Sequence, residues 1–405
     1  MRWRRLLKFI PTFILVGVAA YLFRPFYLDF SPPAIQLKLF SERCGDRLLG
    51  SLNAMDDKAG IAEMLVEIRG ENGFKQPIFS GKGRRKGIEK ELSVDLRFVP
   101  EGRYKLIAEA RDASIWRNRS SSQVEFVVDH TPPKLDVRLT PSSPKIGGAI
   151  SIHVRASEPV YPGMTVVDPN LFGRSSFTFH RLDGEGKVFL AVLGLSLEGK
   201  PGRSSVYLSF NDRAGNRSDE RLEFDVRPVE FGMRFIALPP EKAKLLTDRR
   251  LMEEDRRRLA RVRAMAGSER KLWRGRFLMP VEGIITSRFG EFRVYNGGLA
   301  RSRHMGVDIK AEEGTPVRAA NDGIVIFAGR LNVRGNTVII DHGLGVRSHY
   351  CHLRSIAVRE GDEVGKGDVI GEVGSTGRAT GPHLHWAIEV NGRFVDPIEW
   401  TRYEF

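Results

Sequence analysis

The sequence predicts a mainly β chain of several domains, and three observations predict it. Short runs of alternating apolar and polar residues fill residues 29–229 and resume after Gly275, with Gly, Pro, Asn and Asp between them. A strand that ends at Asp, turns through Asn and returns as a strand occurs twice. One charged, Leu/Met-spotted stretch, residues 239–276, breaks the alternation. At 405 residues the chain exceeds one ordinary core and suggests about two to four domains.

Composition narrows the function classes. With 41% hydrophobic and 28% charged residues the chain is globular. A net charge of +14 and a pI near 9.9 favour anionic partners. No nucleic-acid recognition motif or interleaved basic–aromatic pattern is present, so lipid and anionic wall polymer are the expected partners, not nucleic acid. The two cysteines, Cys44 and Cys351, are far apart and give no disulfide framework.

The N-terminal segment, residues 1–28, places Arg2, Arg4, Arg5 and Lys8 before the apolar run Phe9 to Phe23. Basic residues before such a run keep the N-terminus in the cytoplasm and export the rest. Residues 19–25 hold no convincing small-x-small cleavage site, so an uncleaved anchor is preferred to a signal peptide. The expected location is the inner (cytoplasmic) membrane, single-pass, with the bulk of the chain in the periplasm or extracytoplasmic space.

Residues 29–133 and 134–229 read as two β-sandwich modules. Tyr104 to Glu109, Val124 to Val128, Ser205 to Phe210 and Leu222 to Val226 alternate as half-buried strands do. The repeat runs from Asp112 to Asn118 in the first module and from Asp212 to Asn216 in the second. Asp and Asn suit such turns, through side-chain bonds to nearby backbone and Asn's tolerance of positive φ. The pattern resembles the bacterial immunoglobulin-like modules of cell-surface proteins, which implies spacer modules or a docking surface for a protein partner.

Residues 230–276 read as a helical basic linker. A helix is expected from Glu241 to Ala266, with Leu245, Met252, Leu259 and Val262 on one stripe. It is rich in arginine, including Arg256 to Arg258, Arg261 and Arg263. A solvated connecting helix is the plain reading; a contact with anionic polymer or a gate over a site are the functional ones.

Residues 277–405 hold six of the nine histidines, concentrated in short strings. These are His304 with Asp308, His352 after Tyr350-Cys351, and His383-Leu384-His385. Two imidazoles and a carboxylate can hold a metal and leave a place for water, with two imidazoles to spare. On a strand, His383 and His385 would share a face about 6.6–6.8 Å apart, with Leu384 in the core. His304 and Asp308 would lie roughly 13 Å apart on an extended strand, so the chain must bend, and Gly306 permits it. Tyr350 and His352 are expected on one face, with His349 and Cys351 on the other, facing the core. His342 reads as a turn residue. His130, His153 and His180 have no evident partners.

From about Phe277 to Tyr403 the chain resembles the lysostaphin-type (LytM-type) zinc metallopeptidases that cut peptidoglycan. The strings "HMGVDIKAEEGTPVRAANDG", "YCHL" and "GSTGRATGPHLHW" occur in family order. The resemblance implies a compact antiparallel β metallopeptidase domain with a groove across one Zn2+ per chain. His304, Asp308 and His385 would bind the metal; His352 and His383 would be catalytic. It implies a zinc endopeptidase that hydrolyses peptide cross-links of peptidoglycan. The alternative is a catalytically silent wall-binding relative that activates another hydrolase, but such relatives lack ligands and all five residues are present here. Cys351 and Trp386 are the departures from the usual pattern.

Overall fold

The computed structural model describes residues 16–19, 21–24, 28–71, 73–173, 177–265 and 267–405. The expected anchor, Phe9 to Phe23, falls mostly outside the described residues. Among the described residues no helix is long and apolar enough to cross a membrane. The chain forms two units, residues 1–133 with 211–217, and residues 134–210 with 218–405.

The first unit is built on two sheets. One has three strands, Ala34–Leu39, Arg47–Met55 and Gly87–Asp95; the other has five, with Gly102–Asp112 between Ile61–Gly70 and Arg119–Val128. Alternation explains the burial. Leu48, Leu52 and Ala54 point inward from one sheet and Val66, Ile68 and Leu106 from the other, all fully buried. The repeated turn has the same chemistry in both copies. Asn118 donates its side-chain amide to Asp112 Oδ2 at 2.7 Å, and Asn216 donates to Asp212 Oδ2 at 2.9 Å. The left-handed residues are Arg117 and Gly215, one position before each asparagine. Asn is therefore selected for its amide rather than for positive φ.

In the second unit, Leu135–Thr140, Ala149–Ala156, Val188–Gly194 and His180–Arg181 form one sheet. Val160–Val167, Gly202–Asp212 and Arg217–Val226 form another. The Val188–Gly194 strand is apolar without alternation, and the packing shows why. Phe189, Ala191 and Leu193 face the sandwich core, whereas Leu190 and Val192 join the core of the C-terminal domain. A strand buried on both faces has no polar side. Asn391 donates to Val192 O at 2.9 Å, and Lys145 pairs with Asp396 Oδ2 at 2.6 Å, tying the same two parts together.

Residues 230–276 supply a strand as well as helices. Met233–Ile236 pairs in parallel with Phe292–Tyr295. The expected single helix is two, Pro240–Thr247 and Arg249–Ala264. Asp248 interrupts them because its carboxylate accepts from Arg250 N and Leu251 N and caps the second. The expected stripe holds in part: Val262 is buried and Leu259 packs beside it, but Leu246 is buried in place of Leu245 and Met252 is exposed. Asp255 lies on the buried face because it accepts from Asn332 N and Val333 N, both at 2.7 Å.

The C-terminal domain centres on an antiparallel sheet. Its site-bearing strands are Val307–Lys310, Leu384–Val390 and Val346–Leu353, in that spatial order, followed by Gly335–Gly343 and Gly323–Leu331. Register fixes two faces. Val307, Trp386, Tyr350 and Val338 stand opposite one another across these strands, and all are in the core. Asp308, His385 and Cys351 stand on the reverse face. Further along that face Ile339 packs under Leu259 and Val262 of the linker helix.

Candidate metal centre

Strand pairing places the first two donors. Asp308 lies directly opposite His385. His304 reaches them from the end of the Ala300–Arg303 strand, through a bend at Gly306. Gly306 has no left-handed φ; it is required for space. A Cβ there would sit 2.5 Å from Trp386 O and 2.8 Å from His385 Cε1. The expected bend is present, and its glycine serves close approach to the His385 strand.

Three donor atoms converge. His304 Nε2 is 3.0 Å from Asp308 Oδ1 and 3.0 Å from His385 Nδ1, and His385 Nδ1 is 2.9 Å from Asp308 Oδ1. His304 and Asp308 are almost wholly buried. His304 Nδ1 donates to Arg288 O at 2.9 Å. A carbonyl only accepts, so the proton is on Nδ1 and Nε2 presents a bare lone pair to the group. Arg293 donates to Asp308 Oδ2 and, at 2.7 Å, to Ser287 Oγ.

The second imidazole pair stands beside the first. The ring centroids of His352 and His383 are 4.9 Å apart, and His352 is 6.1 Å from His385. His352 Nδ1 donates to Thr376 O at 2.8 Å, and His383 Nδ1 donates to Gly381 O at 2.8 Å. Each ring thus turns its Nε2 away from these carbonyls; that of His383 is 3.8 Å from Asp308 Oδ1. His352 has φ of +65°. This left-handed conformation is uncommon for a residue with a Cβ and clusters at functional sites. It also corrects the expected faces. Tyr350 is a core residue whose hydroxyl accepts from Ala320 N, and Cys351 shares the site face with His385. His352 escapes the alternation through its positive φ.

Burial and neighbouring charge shift Asp308, His385 and His352. Burial pushes Asp308 up, but the adjoining His304 and His385 rings outweigh it and hold the group well below the usual carboxylate range. Burial lowers His385 to about 3 against the opposing pull of Asp308. Burial, with His383 and His385 nearby, holds His352 well below an ordinary imidazole. Deprotonated donors are the forms that bind metals. Donors on one tetrahedral zinc, with bonds of about 2.0–2.2 Å, stand roughly 3.3–3.5 Å apart. The three atoms here need little movement to accept such an ion.

The centre opens on a cavity of about 440 Å³. One wall is the linker segment Arg234 to Leu238, and the other carries Lys310, Arg378 and Thr380 to His383. Arg378 lies 4.8 Å from the Tyr295 ring centroid, its pKa lowered by burial. Lys242 of the first linker helix donates to Ala379 O at 2.6 Å and Ser375 O at 3.3 Å. That fastens the loop whose Thr376 carbonyl orients His352.

The other histidines of the C-terminal domain are not part of the candidate centre. His342 is a core residue and not a turn residue: it is fully buried, bridges Asp322 O and Ser348 Oγ at 2.7 Å each, and is lowered to about 4 by burial. His349 stands 3.3 Å from Glu389 Oε2. His130 Nε2 is 3.0 Å from Val99 O, so it has a partner after all. Arg293, Ser287, Thr376 and Lys242 support the site without having been expected to. Arg293 and Ser287 sit in ordinary strand text; sheet register sets Ser287 opposite Asp308, and Arg293 reaches it from a separate sheet.

Residues 302–397 of the C-terminal domain match the family model "Peptidase family M23". The DD-carboxypeptidase/endopeptidase Mpg of Neisseria meningitidis serogroup B is 50% identical over 95 residues, 24% of this chain and 22% of that protein. The peptidoglycan DD-endopeptidase ShyA of Vibrio cholerae is 38% identical over 115 residues, 28% of this chain and 27% of that protein. The chain thus spans about a quarter of the length of these curated relatives. Among solved structures, a peptidase M23 from Pseudomonas aeruginosa aligns at 28% identity over 65% of this chain and 95% of that chain, with a TM-score of 0.42. The lysostaphin catalytic domain from Staphylococcus simulans aligns at 33% identity over 30% of this chain and 93% of its own, with a TM-score of 0.27.

Proposed function

We propose that this chain is a membrane-anchored, exported zinc endopeptidase that hydrolyses D,D peptide cross-links of peptidoglycan. The observation that carries the proposal is the meeting of His304 Nε2, Asp308 Oδ1 and His385 Nδ1 within 3.0 Å, beside two imidazoles held by their Nδ1 atoms. The family match and the endopeptidase names of Mpg and ShyA support the reaction class and the D,D bond. The basic residues before Phe9 to Phe23 support the location at the inner (cytoplasmic) membrane, with the domains in the periplasm or extracytoplasmic space.

His304, Asp308 and His385 would hold the zinc. When bound, the ion lowers the pKa of water towards neutrality and polarises a scissile carbonyl. The chain's own groups do the rest. His352 and His383 commit their Nδ1 protons to Thr376 O and Gly381 O, which leaves Nε2 as the nitrogen of each ring that faces the reaction. Each can therefore take a proton at Nε2 from the attacking water and return it to the leaving amine. Arg293 fixes Asp308 through its second oxygen. Arg378 and Lys310 give the groove a positive wall suited to a peptide that carries carboxylates.

The test is zinc content and peptidoglycan hydrolysis measured together on wild-type protein and on His385→Ala. Wild type is expected to hold one zinc and release peptide fragments in a chelator-sensitive manner. Retained hydrolysis in His385→Ala would overturn the assignment.

A further inference from the structure

The first unit holds three buried carboxylates that the peptidase reading does not use. Asp29, Asp56 and Asp112 are 1%, 7% and 1% exposed. One oxygen from each lies within 4.8 Å of those from the other two. The sequence distributes them widely. Asp29 precedes the first strand, Asp56 follows Arg47–Met55, and Asp112 ends Gly102–Asp112.

Most of their oxygens have assigned partners. Asp29 accepts from Ser31 N at 3.0 Å and Ala59 N at 3.1 Å; Asp56 Oδ1 accepts from Lys58 N at 3.0 Å. Asp112 Oδ1 accepts from Ser114 N and Oγ, and Asn118 donates both to Asp112 Oδ2 and to Asp29 O. Asp56 Oδ2 is different. It is closed off from solvent and has no hydrogen-bond partner. Among the described residues, the cation paired with the group is Lys58, whose Nζ lies 3.8 Å from Asp29 Oδ1, with a side chain that is 55% exposed.

Three buried carboxylates repel one another, and one largely solvated ammonium offsets little of that repulsion. A buried carboxylate oxygen without a partner adds its own desolvation penalty. A divalent cation among the three oxygens relieves both. We propose that Asp29, Asp56 and Asp112 form a calcium site. The donors are all hard oxygens, with no imidazole or thiol in the group, which disfavours zinc and other transition metals. Calcium accepts irregular sets of six to eight oxygens and completes its shell with water, whereas magnesium demands near-ideal octahedral geometry. The ion would pin the chain's entry into the first sandwich at Asp29 to two strand ends. This proposal is independent of the peptidase reading.

The test uses the full chain, stripped with chelator and titrated with calcium alone by calorimetry and by thermal unfolding, with magnesium in parallel. Wild type is expected to bind calcium saturably and to unfold at higher temperature with it; magnesium is expected to bind more weakly. Asp56→Asn is expected to weaken calcium by about tenfold or more. In calcium-free buffer the same variant should unfold no lower than wild type, because it loses one of three repelling charges. Asp29→Asn is the second variant, and His385→Ala is expected to keep wild-type calcium binding. Absence of saturable calcium binding in wild type overturns the site, as does wild-type calcium affinity in a folded Asp56→Asn or Asp29→Asn protein, or loss of calcium binding in folded His385→Ala.

Discussion

Two donor clusters of this chain, one at its C-terminal site and one in its first unit, differ in chemistry and in how each deals with its charge. His304, Asp308 and His385 mix nitrogen with oxygen, and Arg293 neutralises Asp308 from its far side. Asp29, Asp56 and Asp112 offer oxygen alone, beside a lysine that is mostly in solvent. The first cluster is assembled by strand register, with Asp308 opposite His385. The second is assembled where loops meet strand ends. A cluster that carries its own counter-charge can wait for its ion; one that lacks it depends on the ion for stability.

That contrast can be broken by mutation. The largest expected effect is His385→Ala, which should remove zinc and lower hydrolysis by about 10³-fold or more, since the metal's share of catalysis is several kcal/mol. Its calcium-dependent unfolding should be unchanged, and a change there would show that the clusters are not separate. His352→Ala should keep zinc and lose about 10²–10³-fold in kcat, the range for a proton-transfer group. Loss of zinc in that variant would make His352 a ligand instead. Arg293→Met should weaken zinc by about 10–100-fold, as loss of a ligand's supporting partner does; unchanged affinity would mean Arg293 serves only the strand pair.

Smaller effects test the scaffold behind the site. Asp255→Ala leaves Asn332 N and Val333 N without their acceptor and should lower stability by about 2–3 kcal/mol in denaturant unfolding. A cost near zero would mean that the linker helix does not anchor that loop. Acid should act through His342 and His349, both lowered to about 4 by burial. Between about pH 6.5 and 4 the unfolded chain binds protons at these positions and the folded chain does not. Stability therefore falls as pH falls through that window, by up to about 1.4 kcal/mol per pH unit for each histidine. His342→Gln should flatten the slope, and an unaltered slope would locate the acid sensitivity elsewhere.

The clusters also differ in how legible they are in the sequence. The histidine strings place uncommon residues at short, telling intervals, so the members of the C-terminal site could be named before any fold was known. Their faces could not: alternation puts His352 with Tyr350, and only the left-handed φ at His352 moves it to the site face. The aspartate cluster had no comparable signal, because its members are common residues 27 and 56 positions apart that topology alone brings together. The same limit applies to the linker. Its charged, Leu/Met-spotted text predicted helix, but the cap at Asp248 and the burial of Asp255 depend on partners that local periodicity does not describe. The apolar run Val188–Gly194 was visible as a strand, while its burial between two cores was not.

The most direct measurement is mass spectrometry of peptidoglycan after digestion by the zinc-loaded full chain, beside zinc-loaded His352→Ala. The account predicts new peptide ends at D,D cross-links with wild type, their loss with chelator and return with zinc, and almost none with the variant. Intact cross-links under zinc-bound wild type, or cleavage by His352→Ala at the wild-type rate, would contradict it.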